Sequence, residues 1–577
     1  MAPRTGLCFF ALVASCVVST AARSAWNPDG NRVSYSAGQV YEFAAVSNGT
    51  GGAVVVWSDH YSLDGSSRSR VLLQDLDAGG DVVHGWRANG IELADGPGDR
   101  HAISLAADGP GGVIISWHES VASSYVERLI VQRRGVASWP AGGFALADVV
   151  GSEPAHLCAD GAGGIFMTWV SPDGSQVPRQ RVTRVQWDGT VAPGWPAPGI
   201  DLGPAETETP PAIASDGAVG ALIAWSELTG PAPKFQLRVH HLLPDGSFDP
   251  SWPSAGAVLA EGPSFTRLTL VPDHGGAFAS WDHLHLCPLC AGCYCPADLF
   301  VSHVDAAGGR GSGWPLGGLR LGDSGRISAA ADGGLVGASI VETGPPPAWR
   351  PFTQTYVRRL AADGSDSPGW THGANVTREA RNPTEVDAIS DGAGGAFATW
   401  IDSRTGEPTL YATRLTANRG VAPGWPEFGS LVAPHGVRPA IPVLVPAGTN
   451  GALVLWLDSR AGTPEVFANP VVAGPAGPPA LLSVVPAGDA GFGIQRVWPN
   501  PARASFQVML EVPDATPATL EVMDVAGRLI EKVGIGVGGP ARGTVRLGTS
   551  HALDPGVYWI RLRQGPLAAS QRIIAIR

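Results

Sequence analysis

Charge is scarce in this chain of 577 residues: only 16% of it is charged, and lysine and arginine never gather into a long run. With a formal net charge of −12, the basic footprint of a nucleic-acid binder is missing, so no nucleic-acid partner is expected. Long apolar runs are missing too. Beyond the extreme N-terminus no stretch approaches the ~18 to 20 apolar residues that cross a membrane as a helix. Catalytic signatures are equally scarce. Gly-x-Ser-x-Gly and His-Glu-x-x-His do not occur, and neither a tyrosine–glutamate nucleophile pair nor a three-arginine clamp can be assigned. The sequence therefore offers no catalytic residue, no metal ligand set outside one cysteine stretch, and no cofactor motif, and it is read as a non-enzyme.

What the chain does have is glycine (77), proline (50), tryptophan (19) and 44% apolar residues, enough to build a large core without much charge. Eight tryptophans return in one phrase whose clearest copy is Pro423, Gly424, Trp425, Pro426. The others are Trp26, Trp86, Trp139, Trp195, Trp252, Trp314 and Trp370, roughly 53 to 62 residues apart, which is an internal repeat. A second phrase keeps step with it, running from Ser390, Asp391 and Gly392 to Trp400. Its other copies end at Trp57, Trp117, Trp169, Trp225, Trp281 and Trp456, with a degenerate one near Val341.

In the unit around Trp169 the reading is four strands: Ala155 to Ala159, Gly164 to Val170, Arg181 to Trp187 and Gly199 to Leu202. Asp160-Gly161 and Asp188-Gly189 are the turns, because such hairpins need positive φ. The second strand is apolar at every position, as in Ala396, Phe397, Ala398, so it must be covered on both faces. Radially stacked sheets supply that cover. The expectation is an all-β chain with an eight-bladed β-propeller over residues 25–472, or a seven-bladed one if the unit near Val341 is displaced. The last unit lacks its fourth strand, and Arg32 to Ser36 match that segment, so the N-terminus is expected to close the ring.

Arg4, the apolar stretch from Leu7 to Val18 and the small residues up to Ala22 have the layout of a secretory signal peptide, placed at residues 1–24. Val13, Ala14, Ser15, Cys16 also resembles a lipobox, which would put a lipid on Cys16. Cys287, Cys290, Cys293 and Cys295 crowd one loop. In an oxidising compartment they form disulfides, and their Cys-x-x-Cys spacing alternatively suits a metal. Cys158 reads as a small buried residue. Acids follow the strand-end tryptophans at Asp59, Glu119, Glu227, Asp282, Asp402 and Asp458, with Arg404 and Arg460 two residues after the last two. They are candidates for a binding face, or they cap loop N–H groups and pair with arginine. A carboxylate pair for glycoside cleavage is the sharper alternative. The phrase has a passing likeness to sialidase-type propellers, whose Ser-x-Asp-x-Gly-x-Thr-Trp box is absent.

Residues 473–491, rich in proline, glycine and alanine, read as a linker. Beyond them, Phe506 to Val512, Ala518 to Val525, Gly543 to Leu547, Gly556 to Leu562 and Gln571 to Ile576 alternate in period two, as in a small β-sandwich over residues 492–577. Pro499, Asn500, Pro501, then Asp524, Gly527, Arg528, then Gly556, Val557, Tyr558 occur in order. These phrases resemble the C-terminal sorting domain of type IX secretion cargo, and the related FlgD-type immunoglobulin-like module shares them. The resemblance implies an immunoglobulin-like fold, a secretion-machinery partner and an extracellular or outer-membrane-surface location. Together these readings give an exported, monomeric, non-catalytic propeller that binds a glycan or protein. The alternatives are a secreted glycoside hydrolase and a structural envelope protein.

Overall fold

The computed structural model describes residues 30–36, 38–108, 112–120, 126–134, 139–140, 142–205, 210–229, 235–273, 276–283, 298–343, 352–377, 383–404, 406–433, 439–448, 451–460, 462–472, 492–498, 500–502, 506–514, 516–525, 528–535, 541–547, 553–565 and 567–576. The segment 1–24 with Cys16, Trp26, the loop holding Cys287, Cys290, Cys293 and Cys295, the linker 473–491, Pro499 and Gly527 lie outside the described residues. Among the described residues there is no helix, and none that is long and apolar enough to cross a membrane.

Up to Val472 the described strands form eight four-stranded antiparallel sheets. In seven of them the strands follow one another in chain order, as the third shows: His156–Ala159, Ile165–Pro172, Pro178–Val185, Ile200–Pro204. The third strand ends earlier than its sequence suggests, and Trp187 sits in the following turn, 56% exposed. The degenerate unit near Val341 still makes a full sheet, with Leu335–Thr343 as its second strand. The Asp-Gly turns form as expected: Gly161 has φ +70, and the Asp160 carboxylate accepts the N–H groups of Ala162 and Gly164 at 2.8 and 2.7 Å.

The first strand of each sheet packs on the first strand of the next. That chain of contacts runs Gln39–Ser47, Arg100–Ala107, His156–Ala159, Ala212–Ser215, Thr266–Asp273, Ser324–Ala329, Thr384–Ser390, Ala440–Ala447, and the last packs back on the first. The eight sheets are therefore a closed ring, propeller-like in form. Between consecutive sheets lie separate apolar clusters, each built around large aromatics, and Trp57, Trp117, Trp169, Trp281, Trp400 and Trp456 are almost wholly buried. Each such indole removes on the order of 200 Å² from water, roughly 3 kcal/mol or more. The second set of tryptophans ties sheet to sheet. The indole N–H groups of Trp139, Trp195, Trp252 and Trp314 donate to Trp187, Pro244, Ala306 and Ala362 carbonyls in the next sheet's outer turn, at 2.7 to 3.0 Å.

The eighth sheet has strand order Asn31–Arg32, Glu465–Val472, Gly451–Asp458, Ala440–Ala447, so its fourth strand comes from the N-terminus. That ladder is shorter than the expected Arg32 to Ser36. Past Arg32 the regular ladder ends, because two successive N–H groups share one carbonyl of the neighbouring strand and a side chain supplies the next acceptor. Val33 and Ser34 N–H both turn to Val466 O, while Ser36 N–H and Arg32 donate to the buried Glu465 carboxylate. Gly30 shows that the segment fills a true fourth-strand position. A Cβ there would stand 2.5 Å from the Trp456 ring, just as one on Gly199 would stand 2.8 Å from Trp169 in the third sheet. Both glycines have positive φ and press on the tryptophan of their own sheet.

The C-terminal residues build two further sheets around one core. Gly493–Trp498, Phe506–Val512 and Ala541–Leu547 form one; Leu529–Ile535, Ala518–Asp524, Gly556–Gln564 and Leu567–Ala575 form the other. Val508, Leu510, Leu520, Val522, Ile560 and Leu562 are fully buried between them. The strands Gly493–Trp498 and Leu529–Ile535 were not expected from the sequence; the second alternates weakly, with Glu531 and Lys532 side by side.

Candidate functional site

The repeated acids come first, since they follow a repeated tryptophan. Asp59, Asp402 and Asp458 are fully buried and occupied by protein partners. Asp402 accepts the Trp400 indole N–H at 2.8 Å, the Arg404 backbone N–H at 2.9 Å and the Arg404 guanidinium at 2.9 and 3.0 Å. Asp458 holds Trp456 at 3.1 Å and Arg460 in the same way. Asp59 is gripped by Arg70, directly across the ladder, at 2.6 and 2.7 Å. Glu119 pairs with Arg100 at 2.6 Å, and Glu227 with Arg238. These five acids thus act as caps and ion-pair partners, and the three buried ones face no solvent that a ligand could enter. In Asp59, Glu119 and Glu227 the arginine comes from a neighbouring strand, which spacing along the chain could not reveal.

Asp282 is different. It lines a cavity of about 460 Å³ at the centre of the ring. Residues of the first strands of the third, fifth, sixth, seventh and eighth sheets wall it, so it spans the middle and not one inter-sheet wedge. Its titratable groups are Glu153, His156, Arg267, Asp282, Arg326 and Asp387, set among Leu268, Ile327, Ile389 and Leu444. Of these only Asp282 was singled out from sequence. Asp387 carries a signal of its own: a charged residue inside a short apolar first strand, between Val386 and Ala388-Ile389, is out of pattern and must face a polar space or a partner.

Burial pushes the Asp282 carboxyl up to about 6, against the pull of Arg267, whose guanidinium lies 3.0 Å away and is 57% exposed. Burial also raises Asp387, partly offset by Arg326 and by the Leu444 N–H, which donates to its Oδ2 at 2.9 Å. That last bond stitches the seventh sheet to the eighth. Burial lowers His156, whose Nδ1 sits 3.0 Å from the Pro211 carbonyl, so the ring is a neutral imidazole near pH 7. The cavity thus offers guanidinium donors beside imidazole and carboxylate acceptors in close quarters, a surface suited to a polar, many-hydroxyl or peptide-like ligand.

A pH dependence follows. The unfolded Asp282 ionises near 3.8 and the folded one near 6. Between those values the folded chain keeps a proton that the unfolded chain has lost, so stability falls as pH rises through the window and levels off above it. Asp282→Asn removes this loss. Thermal melts should find the variant more stable than the parent at about pH 7.5, by on the order of 1–2 kcal/mol after screening, with the gap closing below about pH 4.

The buried Cys158 is a free thiol in the wedge between the third and fourth sheets, pushed up by burial, as expected of a small core residue. In the C-terminal sheets, Asp524 accepts the Arg528 N–H at 2.9 Å and its guanidinium at 3.0 Å, closing the hairpin. Asn500 takes the Ile574 N–H at 3.0 Å, and Tyr558 donates to the Asp554 carbonyl at 2.9 Å. Gly556 begins the strand that carries Tyr558, and Pro501 follows Asn500 beside the last strand.

Residues 496–576 match the family described as the secretion system C-terminal sorting domain. Such a domain marks cargo of the type IX secretion system, so the chain is exported to the cell surface or beyond and engages that machinery through its C-terminus. No curated protein matches the chain. Among solved structures it is similar to a protein of unknown function from Dyadobacter fermentans at 10% identity, covering 64% of this chain and 94% of that one with a TM-score of 0.29. It is also similar to levansucrase from Bacillus subtilis, at 10% identity, 46% and 84% coverage and a TM-score of 0.26. A third is the GH93 α-L-arabinofuranosidase of Fusarium graminearum, in complex with arabinobiose, at 9% identity, 65% and 93% coverage and a TM-score of 0.26. Similarity at this level transfers no activity.

Proposed function

We propose that the chain is an exported eight-bladed β-propeller, carried by an immunoglobulin-like sorting module, that binds a polar extracellular ligand such as a glycan or peptide in its central cavity without turning it over. One observation carries the choice between binding and hydrolysis. Two-carboxylate hydrolysis divides its labour: one group is held protonated as acid, the other ionised as base or nucleophile. Of the three carboxylates that line this cavity, burial drives Asp282 and Asp387 the same way, upward, while Asp282 is paired with Arg267 and Asp387 is already engaged by the Leu444 N–H. The pair is not differentiated, and one member is structural. The hydrolase reading keeps a single point in its favour, an Asp282 carboxyl near 6 that would serve as a proton donor at neutral pH.

The test is a glycan and protein array probed with the exported protein, followed by titration of any hit. Arg267 is the chosen probe because its side chain is half exposed and its loss costs little packing. Arg267→Ala should weaken binding on the order of 10-fold or more, as expected for a charged hydrogen-bond donor removed from a concave site. Unchanged affinity would place the ligand elsewhere, and an array without hits would favour a purely structural envelope role.

A further inference from the structure

The second sheet carries a cluster that the central cavity does not use. His101 lies directly across from His118 where Arg100–Ala107 pairs with Val113–Ser120. Glu127 lies across from Ser120 on the next strand, Glu127–Arg133. His118 and Ser120 are two apart and share a face of the sheet, so their partners His101 and Glu127 share it as well. The opposite face at this level holds the Arg100–Glu119 pair. Register alone therefore gathers two imidazoles and a carboxylate. His101 Nε2 stands 3.2 Å, and His118 Nδ1 3.5 Å, from Glu127 Oε2, and one donor atom from each of the three residues lies within 4.8 Å of the others.

The second observation is His118 itself. It is 2% exposed, its Nε2 has no hydrogen-bond partner, and its Nδ1 reaches only the Glu127 carboxylate, at 3.5 Å. Buried polar groups left unmade cost roughly 1–3 kcal/mol each, and folded chains seldom tolerate them without a use. A carboxylate also stands behind the cluster. Asp99 is 3.5 Å from the far nitrogen of His101 and 3.1 Å from His60, where a carboxylate orients an imidazole that ligates a metal through its other nitrogen.

We propose that His101, His118 and Glu127 form a site for one divalent transition-metal ion of the zinc type, with the remaining coordination position open to water or to a ligand oxygen. Two imidazoles and a carboxylate are a donor set that zinc and ferrous iron accept with an open position. Ligand atoms ~2.1 Å from zinc stand no more than ~4.2 Å apart, so closing on the ion takes less than ~1 Å of side-chain movement. His101 and Glu127 are about one-fifth exposed, which gives the ion a route in from solvent. Bound there, it would clamp three strands of the second sheet and satisfy the buried imidazole.

The full-length protein, stripped of metal, is titrated with Zn²⁺ against a chromophoric chelator and with Co²⁺ followed by visible absorption. One ion per chain is expected, with the d–d bands of nitrogen and oxygen ligation and no thiolate charge-transfer band. His118→Ala should weaken that binding on the order of 100-fold. Should that variant fold poorly, His101→Asn, at the partly exposed edge, must show the same loss with an unchanged circular dichroism spectrum. Zn²⁺ should raise the melting temperature of the parent and of neither variant. No binding, binding that survives both substitutions, or a thiolate band tracing the ion to the Cys287 to Cys295 loop would each overturn the assignment.

Discussion

Glu465→Ala should open the ring. The Glu465 carboxylate is 1% exposed and is the anchor of the N-terminal segment: it accepts Arg32 at 2.7 Å, the Ser36 N–H at 2.9 Å and the Ser34 hydroxyl. Arg32 can turn to water when the carboxylate is gone, because its side chain is 32% exposed. Ser34 cannot, being fully buried. Removing one partner from a buried charged network costs about 3–5 kcal/mol, since what remains is left unsatisfied. The loss falls on the shortest ladder of the eighth sheet, two residue pairs long. Hydrogen exchange is therefore the sharper readout. The Val33 N–H, which donates to Val466 O at 2.8 Å, should lose its protection together with the edge of Glu465–Val472, while the third sheet keeps its own. Glu465→Gln retains an acceptor and should fall between. A variant as stable as the parent, with Val33 still protected, would mean that closure does not depend on this anchor.

The second large effect separates the repeated acids from a functional site. Asp458→Ala should cost about 3–5 kcal/mol, because it strands the Arg460 guanidinium and the indole N–H of the fully buried Trp456 at once. Asp402→Ala should behave alike, by the same bonds to Arg404 and Trp400. Glu227→Ala, at 45% side-chain exposure and with an arginine partner that keeps its bonds to the Ala255 carbonyl and Gln236, should cost less, about 1 kcal/mol. None of the three should alter ligand affinity once folded protein is compared. Denaturant titration read beside the array hit's dissociation constant checks both halves. An Asp458 variant that is stable but blind to ligand would return these acids to the binding face.

The ring was legible because its grammar is local. Asp-Gly turns, an all-apolar second strand and a tryptophan at its end lie within about a dozen residues, so each copy announces a hairpin, and the missing last copy points to Arg32. Strand ends were less legible. Trp187 looked like the end of a strand because aromatics favour sheets, yet its carbonyl serves the Trp139 indole from a turn. The cavity was legible only in Asp282. Arg267, Arg326, His156 and Asp387 come from four different sheets, and what unites them is ring closure, which no window along the chain contains. The same holds for His101, His118 and Glu127, which cross-strand register brings together without any spacing motif. In the C-terminal sheets the reverse applied: the Asp524 to Arg528 hairpin is compact, and its carboxylate contacts lie within five residues.

The claim that the central cavity binds and does not cleave is tested most directly by mass balance on one ligand. The strongest array hit is incubated with the exported protein at a concentration that saturates the site, and the ligand is recovered and quantified by mass spectrometry. Full recovery of intact ligand, from a complex that Arg267→Ala weakens, is the result this account predicts. Fragments that accumulate with time, and that Asp282→Ala abolishes, would make the cavity an active site and contradict it.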